Sequence, residues 1–342
     1  MKKVKRVIIW ILISIIVQCG GYFYVDKYYL ASNTTVKVKK IEKKTSKEKP
    51  DAEVVIPDNA EHINASFDGK YVSYYDEDKL KIVNTKTGDI KDVCFKDGVK
   101  LSYYKWISDR NRMLIGEKHN TENGYGFKLS YYDVDKDTKE EVKDLTWGDE
   151  DSKIEDIQES TLTNIIYVKV SRGQGKSRLY CINIMKEMKR VPTKVTMIGN
   201  IAVLNYDDKL VYESNTYNKL YVTNTDESIA IEGVENPKLL GVDEDDNVYV
   251  GDLKDNKITS IYFGKIDNKQ VKWSAMPLKT PVCREDIYIS KKGKVYINDN
   301  LKGLIKEIAT NKETAYKGKF LQLYDQGVIS ISEGKLVKNK FN

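Results

Sequence analysis

The chain has 342 residues, of which 40% are hydrophobic and 10% aromatic, so it is long enough to bury one large core or two smaller ones. Its net charge of +6 is unevenly distributed, because residues 1–49 hold 12 Lys and Arg against 3 Asp and Glu, whereas the rest holds 45 against 48. The body of the protein is therefore slightly acidic. This argues against a nucleic-acid partner, which would need a concentrated basic face.

The first predicted element is a membrane-spanning helix. The basic sequence MKKVKR precedes a mostly apolar stretch over residues 7–25. Nineteen residues of helix span about 28 Å, close to the roughly 30 Å hydrocarbon core of a bilayer. We predict an uncleaved transmembrane anchor here, with residues 1–6 as a cytoplasmic tail. Positive charge directly before the helix favours an extracytoplasmic location for everything that follows.

Other interpretations of this segment stay open. Its most apolar part is eleven residues long and CGG follows it closely, as in a cleaved signal peptide. The sequence IVQC, ending at Cys19, partly resembles a lipoprotein signal, although Gln18 stands where such signals have a small residue. A reversed topology, with the rest of the chain on the cytoplasmic side, is a further alternative.

Residues 26–51 are predicted to form a Lys-rich stem. The stretch VKVKKIEKKTSKEK carries seven Lys and two Glu and has no sustained apolar face. Such a segment stays solvated and is extended by its own charge, so it is suited to a tether. Its charge would also allow contact with anionic headgroups or cell-wall polymers.

From residue 52 onwards, short apolar runs alternate with polar or Gly-containing turns at roughly ten-residue spacing, without an amphipathic helix. One series of predicted strands begins at Tyr71, Met113, Ile166, Leu210, Val248, Val295 and Val328, with gaps of 33 to 53 residues. A second series begins at Leu80, Leu129, Leu179, Leu220, Ile261, Ile305 and Leu336. Repeats of this length made only of strands predict an all-β fold, the β-propeller.

The ends of the chain decide the number of blades. Only six residues follow Leu336, so the seventh unit has at most three strands. The apolar run AEVVIP at residues 52–57 precedes the first unit, and we predict that it pairs with the last unit to close a seven-bladed ring. A six-bladed ring is the alternative. The propeller domain is predicted to span residues 52–342.

The first repeat resembles a known family. Residues 66–70, SFDGK, match an S-P-D-G-K motif with Phe67 in place of Pro, and residues 106–109, WISD, repeat part of it. This pattern is similar to that of TolB-like propellers and of the propeller domains of dipeptidyl-peptidase-IV-like enzymes, over about residues 60–340. The resemblance implies a propeller fold and says little about function. The Asp-Gly pair itself is explained by a tight turn, in which Gly adopts positive φ and Asp binds the backbone.

Motifs for catalysis, metals and cofactors are missing from the sequence. It contains no G-x-S-x-G, no C-x-x-C and only two His, so we predict no hydrolase elbow, zinc site or cofactor. The segment DVDKDT from Asp133 imitates a calcium loop, but Thr138 stands where the loop needs Gly. The segment SRGQGKSR lacks the spacing and the strand-to-helix context of a nucleotide phosphate loop.

Loop lengths indicate a binding surface. Long connections between second and third strands occur in neighbouring units, KHNTENGYG in unit two and SRGQGKS in unit three. In a propeller they emerge on the same face as TWGDEDSK, which joins the two units. We predict an aromatic and cationic patch there, on the mouth of the ring, formed by His119, Tyr125, Phe127, Trp147, Arg172 and Arg178.

These observations favour a bacterial protein anchored in the cell membrane, whose propeller acts as a non-catalytic binding or scaffolding module. The expected partner is a protein or a component of the cell envelope. The alternative is an enzyme that acts on cell-surface glycan or peptide. For that alternative, two or more carboxylates should converge in the central pocket of the ring.

Overall fold

A computed structural model describes five stretches of the chain, residues 2–29, 51–122, 124–146, 150–266 and 272–341. The chain divides into two compact units, Met1–Lys49 and Pro50–Asn342. Residues 30–50, which include most of the predicted Lys-rich stem, lie outside the described residues.

The first unit contains the helix α1 (Lys2–Tyr24), which continues into a π-helical turn (Val25–Tyr29). The stretch Ile8–Lys27 is long and apolar enough to cross a bilayer, with a mean hydropathy of 2.0. Its side chains are exposed, and Trp10 is 71% exposed. An apolar helix near the N-terminus could serve as a membrane anchor or as a signal sequence.

The second unit consists of seven antiparallel sheets, here called blades, each of which takes its strands in chain order. Blade 1 contains β1 (Glu61–Ala65), β2 (Tyr71–Asp76), β3 (Lys79–Asn84) and β4 (Ile90–Val93). Blade 2 contains β5 (Lys100–Trp106), β6 (Arg112–Thr121), β7 (Gly124–Asp133) and β8 (Thr138–Thr146). Blade 3 contains β9 (Lys153–Ser160), β10 (Ile165–Ser171), β11 (Ser177–Ile182) and β12 (Met188–Val191). Blade 4 contains β13 (Ile198–Val203), β14 (Leu210–Ser214), β15 (Lys219–Val222) and β16 (Ser228–Ile229).

The remaining blades follow in the same order. Blade 5 contains β17 (Pro237–Val242), β18 (Asn247–Lys254), β19 (Lys257–Lys265) and β20 (Ser274–Val282). A short 3-10 helix (Arg284–Asp286) leads into blade 6, which contains β21 (Ile287–Ile289), β22 (Val295–Asp299), β23 (Leu304–Glu307) and β24 (Glu313–Ala315). Blade 7 contains β25 (Lys319–Tyr324), β26 (Gly327–Ser332) and β27 (Lys335–Lys340). The predicted all-β propeller with seven blades is therefore confirmed.

The first strands of the blades lie innermost. The strands β1, β5, β9, β13, β17 and β21 contact one another in succession, and β1 also contacts β25 of the last blade. They line a central channel. Turns from first to second and from third to fourth strands emerge on one face of the ring, called the hairpin face. Turns from second to third strands and the links between blades emerge on the opposite connection face.

The N-terminal segment closes the ring as predicted. Val55 forms an antiparallel β-bridge with Lys335. The Leu336 N–H donates to the Val54 carbonyl at 2.9 Å, and the Ile56 N–H donates to the Gly334 carbonyl at 2.8 Å. Val54 and Ile56 are buried, whereas Val55 is 61% exposed. Residues 54–56 thus take the place of a fourth strand in blade 7 and cover its edge.

A β-bulge recurs in the innermost strands. One extra residue interrupts the pairing of first and second strands in blades 1, 2, 3, 4, 5 and 7. A bulge leaves backbone groups unpaired, and side chains of the preceding blade bind them here. The Ile154 N–H donates to Ser102 Oγ at 2.9 Å, and Lys169 Nζ donates to the Gly199 carbonyl at 2.9 Å. The bulges therefore also connect neighbouring blades.

Candidate functional site

The segment predicted as the long loop of unit two is a strand hairpin instead. The strands β6 and β7 stay paired up to Thr121 and Gly124, so most of KHNTENGYG belongs to two ten-residue strands. The segment is polar because the hairpin extends beyond the apolar body of the blade. The backbone groups of each strand are hydrogen-bonded to the other strand. The hairpin can therefore form there without apolar side chains.

Phe127 does not contribute to a surface. Its side chain is 0% exposed and packs between blades 2 and 3, together with Leu114, Ile157 and Val168. The prediction of Phe127 as a binding residue is wrong, because Phe127 lies on a paired strand and its side chain points into the interface between the blades. Burial of a whole aromatic side chain stabilises this interface.

His119 lies on the side of its strand that faces blade 1. Ile115, with the same parity on β6, packs among blade 1 residues, whereas Leu114 packs against blade 3. The His119 ring lies over Gly126, where an added Cβ would come within 2.9 Å of it, and its Nε2 is 3.8 Å from Asp144 Oδ1. The structure therefore does not bring His119 to the predicted arginines of blade 3.

Tyr125 lies on the side that faces blade 3. The ammonium of Lys118 is 4.6 Å from the centroid of its ring. Lys118 also donates to the carbonyl of Ser152 at 2.9 Å and to that of Glu150, both in the link between blades 2 and 3. The hairpin is thus attached to the link, as a shared face predicts. Trp147, which the sequence analysis placed in this link, lies outside the described residues.

Arg172 and Arg178 line one cavity of about 430 Å³, here called the blade-3 cavity. The cavity is also lined by Lys176, Arg190 and Asp151. Among the described residues, four cationic side chains and one carboxylate therefore surround it. Sequence analysis identified the first two arginines, and the structure adds Lys176 and Arg190.

The strand register explains why Arg190 joins the site. Arg178 pairs with Val170, and Tyr180, two residues further along the same strand, pairs with Arg190. Paired residues of neighbouring strands point to the same face, so Arg178 and Arg190 are diagonal neighbours. They lie on β11 and β12, the outer half of the blade. The two arginines thus lie on the outer rim of the ring, whereas the sequence predicted a patch on its mouth.

The hairpin between β10 and β11 presents further donors. Gly173 and Gly175 have φ values of 78° and 71°, a left-handed conformation in which Gly avoids strain. The N–H groups of Gln174 and Gly175 have no hydrogen-bond partner within the part of the chain that the structure describes. Lys176, Arg178 and Arg190 likewise form no ion pair with any described residue. The site therefore offers donors and positive charge.

Carboxylates converge elsewhere, at the end of the channel on the hairpin face. A cavity of about 690 Å³, called the hairpin-face cavity, is lined by Asp109, Glu159, Asp243, Glu244 and Asp245, among others. Two of these carboxylates already have hydrogen-bond partners. Asp109 binds Arg110 through both oxygens at 2.8 and 2.9 Å. Asp243 accepts from the Tyr249 hydroxyl at 3.0 Å and from three N–H groups of its own turn.

The channel is also polar at its connection-face end, where a cavity of about 350 Å³ contains Tyr103 and Lys105. Asp156 accepts hydrogen bonds there from Tyr103 at 3.1 Å, Lys105 at 3.3 Å and Gln158 at 2.7 Å. Burial raises the pKa of the Tyr103 hydroxyl far above its usual range, so it acts as a donor at neutral pH. Among the described residues, no group of three His, Cys, Asp or Glu could hold a metal ion.

No protein-family model and no curated protein matches the chain. Similar solved structures include Hsv2 of Kluyveromyces lactis, at 12% identity and a TM-score of 0.48, covering 82% of this chain and 90% of that chain. A luciferin-regenerating enzyme has 12% identity and a TM-score of 0.42, covering 84% and 90%. A putative dipeptidyl aminopeptidase IV of Bacteroides ovatus has 13% identity and a TM-score of 0.47, covering 75% of this chain and 46% of that chain. They assign no function to this chain.

Proposed function

We propose that the protein is a membrane-anchored β-propeller that binds an anionic component of the cell envelope in the blade-3 cavity, without catalysis. The observation that carries this proposal is the presence of Lys176, Arg178 and Arg190 around one cavity, where none of the three forms an ion pair with a described residue.

The charge of the cavity argues for an anionic ligand. Like charges held close together repel each other, and bound anions relieve that repulsion. Arg178 and Arg190 present planar guanidinium groups, which bind phosphate or carboxylate through two parallel hydrogen bonds. The N–H groups of Gln174 and Gly175 supply a second type of donor for the same oxygens. We therefore expect a ligand that carries phosphate or carboxylate groups.

The N-terminal helix supports the proposed location. Its apolar side chains are exposed, and basic residues stand directly before it. This charge distribution favours a cytoplasmic N-terminus and a propeller on the extracytoplasmic side. The resemblance of the SFDGK repeat to TolB-like propellers points in the same direction. Anionic polymers and lipid headgroups of the envelope would then be within reach of the blade-3 cavity.

A binding role is favoured over catalysis by what the side chains already do. The blade-3 cavity offers donors that hold an anion without moving a proton. The catalytic alternative would use carboxylates of the hairpin-face cavity, where Asp109 is paired with Arg110 and Asp243 is bound by Tyr249 and its own turn. A side chain that acts as a general acid or base must be free to exchange a proton with the substrate.

The proposal is tested with the full chain in nanodiscs of neutral lipid, by measuring binding of inorganic polyphosphate. Replacement of both Arg178 and Arg190 by Ala should weaken binding by about tenfold or more, because each charged hydrogen bond contributes about 1.5–3 kcal/mol. Lys189→Ala is the matched control, since Lys189 is an exposed cation beside Arg190 on β12. Because successive side chains of a strand point to opposite faces, Lys189 points away from the face that carries Arg190.

Two further arms separate the sources of the anion. Inorganic phosphate should compete if a single phosphate group is recognised. Repeating the experiment in nanodiscs with anionic lipid should abolish polyphosphate binding if a headgroup is the natural ligand. Equal loss of binding in Lys189→Ala and in the double variant would contradict the proposal, because it would indicate attraction by net charge alone.

A further inference from the structure

The hairpin-face cavity is the largest of the cavities described above, and its walls are preformed. Asp246 of blade 5 accepts hydrogen bonds from Asn205 Nδ2 and from the Tyr206 N–H of blade 4, both at 3.0 Å. The Glu244 N–H of blade 5 donates to the Lys291 carbonyl of blade 6 at 2.7 Å. Turns of successive blades are thus bound to one another, so a ligand would meet a rigid site.

Glu159 provides an unused acceptor in this wall. Its Oε1 accepts from the Tyr131 hydroxyl at 2.7 Å. Its Oε2 is buried and has no hydrogen-bond partner in the described part of the chain. Burial raises the pKa of this carboxyl, while Tyr131 and the nearby arginines lower it. A buried acceptor without a donor is unfavourable, so a positive charge placed nearby in the cavity would stabilise this carboxylate.

The nearby cations are already engaged. Arg110 binds Asp109 through two hydrogen bonds. Arg112 binds Glu140 at 2.9 Å, and its guanidinium lies 3.9 Å from the centroid of the Tyr131 ring. These contacts hold both guanidinium groups in place. Neither arginine donates to Glu159 Oε2 in this arrangement.

The rim of the cavity is apolar and acidic. Leu162 and Tyr206 line it and are 57% and 64% exposed. Glu244 and Asp245 add negative charge at the same opening. Lys291 also lines the cavity, and its ammonium lies 5.4 Å from the centroid of the Phe67 ring. Exposed apolar side chains around an acidic cavity are complementary to a basic residue flanked by apolar ones.

We propose that the hairpin-face cavity receives an Arg or Lys side chain from a partner protein, whose cationic group pairs with the charge of the Glu159 carboxylate. Apolar side chains beside that residue pack on Leu162 and Tyr206. A protein partner is favoured over a small ligand because Leu162 and Tyr206 are more than half exposed at the rim, where a small ligand would leave them uncovered. This site lies on the face opposite the blade-3 turns and is independent of the proposed anion binding.

The test selects random peptides displayed on phage against the full chain in neutral-lipid nanodiscs. Peptides enriched on the natural chain should carry Arg or Lys next to apolar residues. Binding of the enriched peptides should fall about tenfold in Glu159→Gln, which removes the charge and keeps the acceptor to Tyr131. Leu162→Ser should weaken peptide binding too. Because Leu162 is exposed, this substitution should preserve the fold.

Glu232→Gln is the matched control, because Glu232 is an exposed carboxylate outside the cavity, on the link between blades 4 and 5. It should bind the selected peptides as the natural chain does. Enrichment of peptides without basic residues would overturn the proposal. So would equal binding to the natural chain, Glu159→Gln and Leu162→Ser, because the peptides would then recognise another surface.

Discussion

Gln322 of blade 7 and Ala65 of blade 1 exchange two hydrogen bonds, each of 2.9 Å. The Gln322 side-chain amide donates to the Ala65 carbonyl, and its oxygen accepts from the Ala65 N–H. One side chain thereby pairs the backbone of an innermost strand with a residue 257 positions away. The contact joins the first and last blades at the channel wall, and residues 54–56 join the same two ends of the domain at the outer edge.

Gln322→Ala should destabilise the propeller because it leaves the buried Ala65 N–H and carbonyl without partners. The expected loss is about 1–3 kcal/mol for each unsatisfied group. It is measured as the free energy of unfolding in urea. Gln326→Ala, an exposed Gln in the turn of the same blade, should change that free energy by less than about 0.5 kcal/mol. Similar losses in the two variants would contradict a specific role for the Ala65 contact.

Val55 and Ile56, neighbours in the segment that closes the ring, should respond differently to replacement by Ala. Ile56 is 4% exposed and packs in the core between blades 7 and 1. Ile56→Ala should therefore lower the free energy of unfolding by about 2–5 kcal/mol. Val55→Ala should have little effect, because Val55 points outward and contributes only its backbone. If both variants unfold alike in urea, the side chains of this segment do not stabilise the closure.

Two carboxyls on β9 should give pH dependences of opposite sign. Burial raises the pKa of Glu159 above its ordinary value of 4.5, so the folded chain holds its proton to higher pH. The stability linked to Glu159 is complete below pH 4.5 and is lost as the pH rises through the raised pKa. Glu159→Gln should therefore become more stable than the natural chain as the pH increases.

Glu155 is the opposite case. Burial acts to raise its pKa, but Lys169, with an ion pair of 3.1 Å, gives a net lowering. Its contribution is complete above pH 4.5 and is lost as the pH falls through the lowered pKa. Glu155→Gln should therefore be less stable than the natural chain at neutral pH, and this difference should disappear in acid. Unfolding in urea between pH 3 and pH 8 measures both slopes, and slopes of the same sign would contradict these assignments.

The location of the propeller is tested with protease added to intact cells from which the wall has been removed. If the propeller is extracytoplasmic, the Lys-rich stem should be cut by trypsin, which cleaves after Lys. Protection until the membrane is lysed would show the reversed topology.

Cys19→Ala should leave the chain in the membrane if residues 7–25 are an uncleaved anchor. Release of the variant from the membrane would instead reveal a lipoprotein signal.

Local features were predictable from the sequence, and features that depend on distant packing were not. The turn at residues 66–70 is an example of the first kind. Asp68 Oδ1 accepts from Ser66 Oγ at 2.7 Å and from the Lys70 N–H at 2.9 Å, and Gly69 has a φ of 67°. These interactions lie within five residues, so an Asp-Gly pair before an apolar run is sufficient to predict them.

The binding sites belong to the second kind. Arg190 reaches the blade-3 cavity through the register of β11 and β12, which short-range pattern does not reveal. The polar character of the β6–β7 hairpin suggested a loop, and Phe127 was placed on the surface for that reason. The buried oxygen of Glu159 depends on contacts between blades 2 and 3. No local motif marks such an atom.

The bridge between Val55 and Lys335 has a consequence for biosynthesis. The two residues are separated by 280 positions, so at about 5–20 residues per second a ribosome needs roughly 14–56 s to progress from one to the other. During that interval the nascent propeller is an open arc, and the strand edges at both ends lack their final partners. A chaperone that binds extended, apolar segments would find its substrate in residues 54–56 until the last blade emerges.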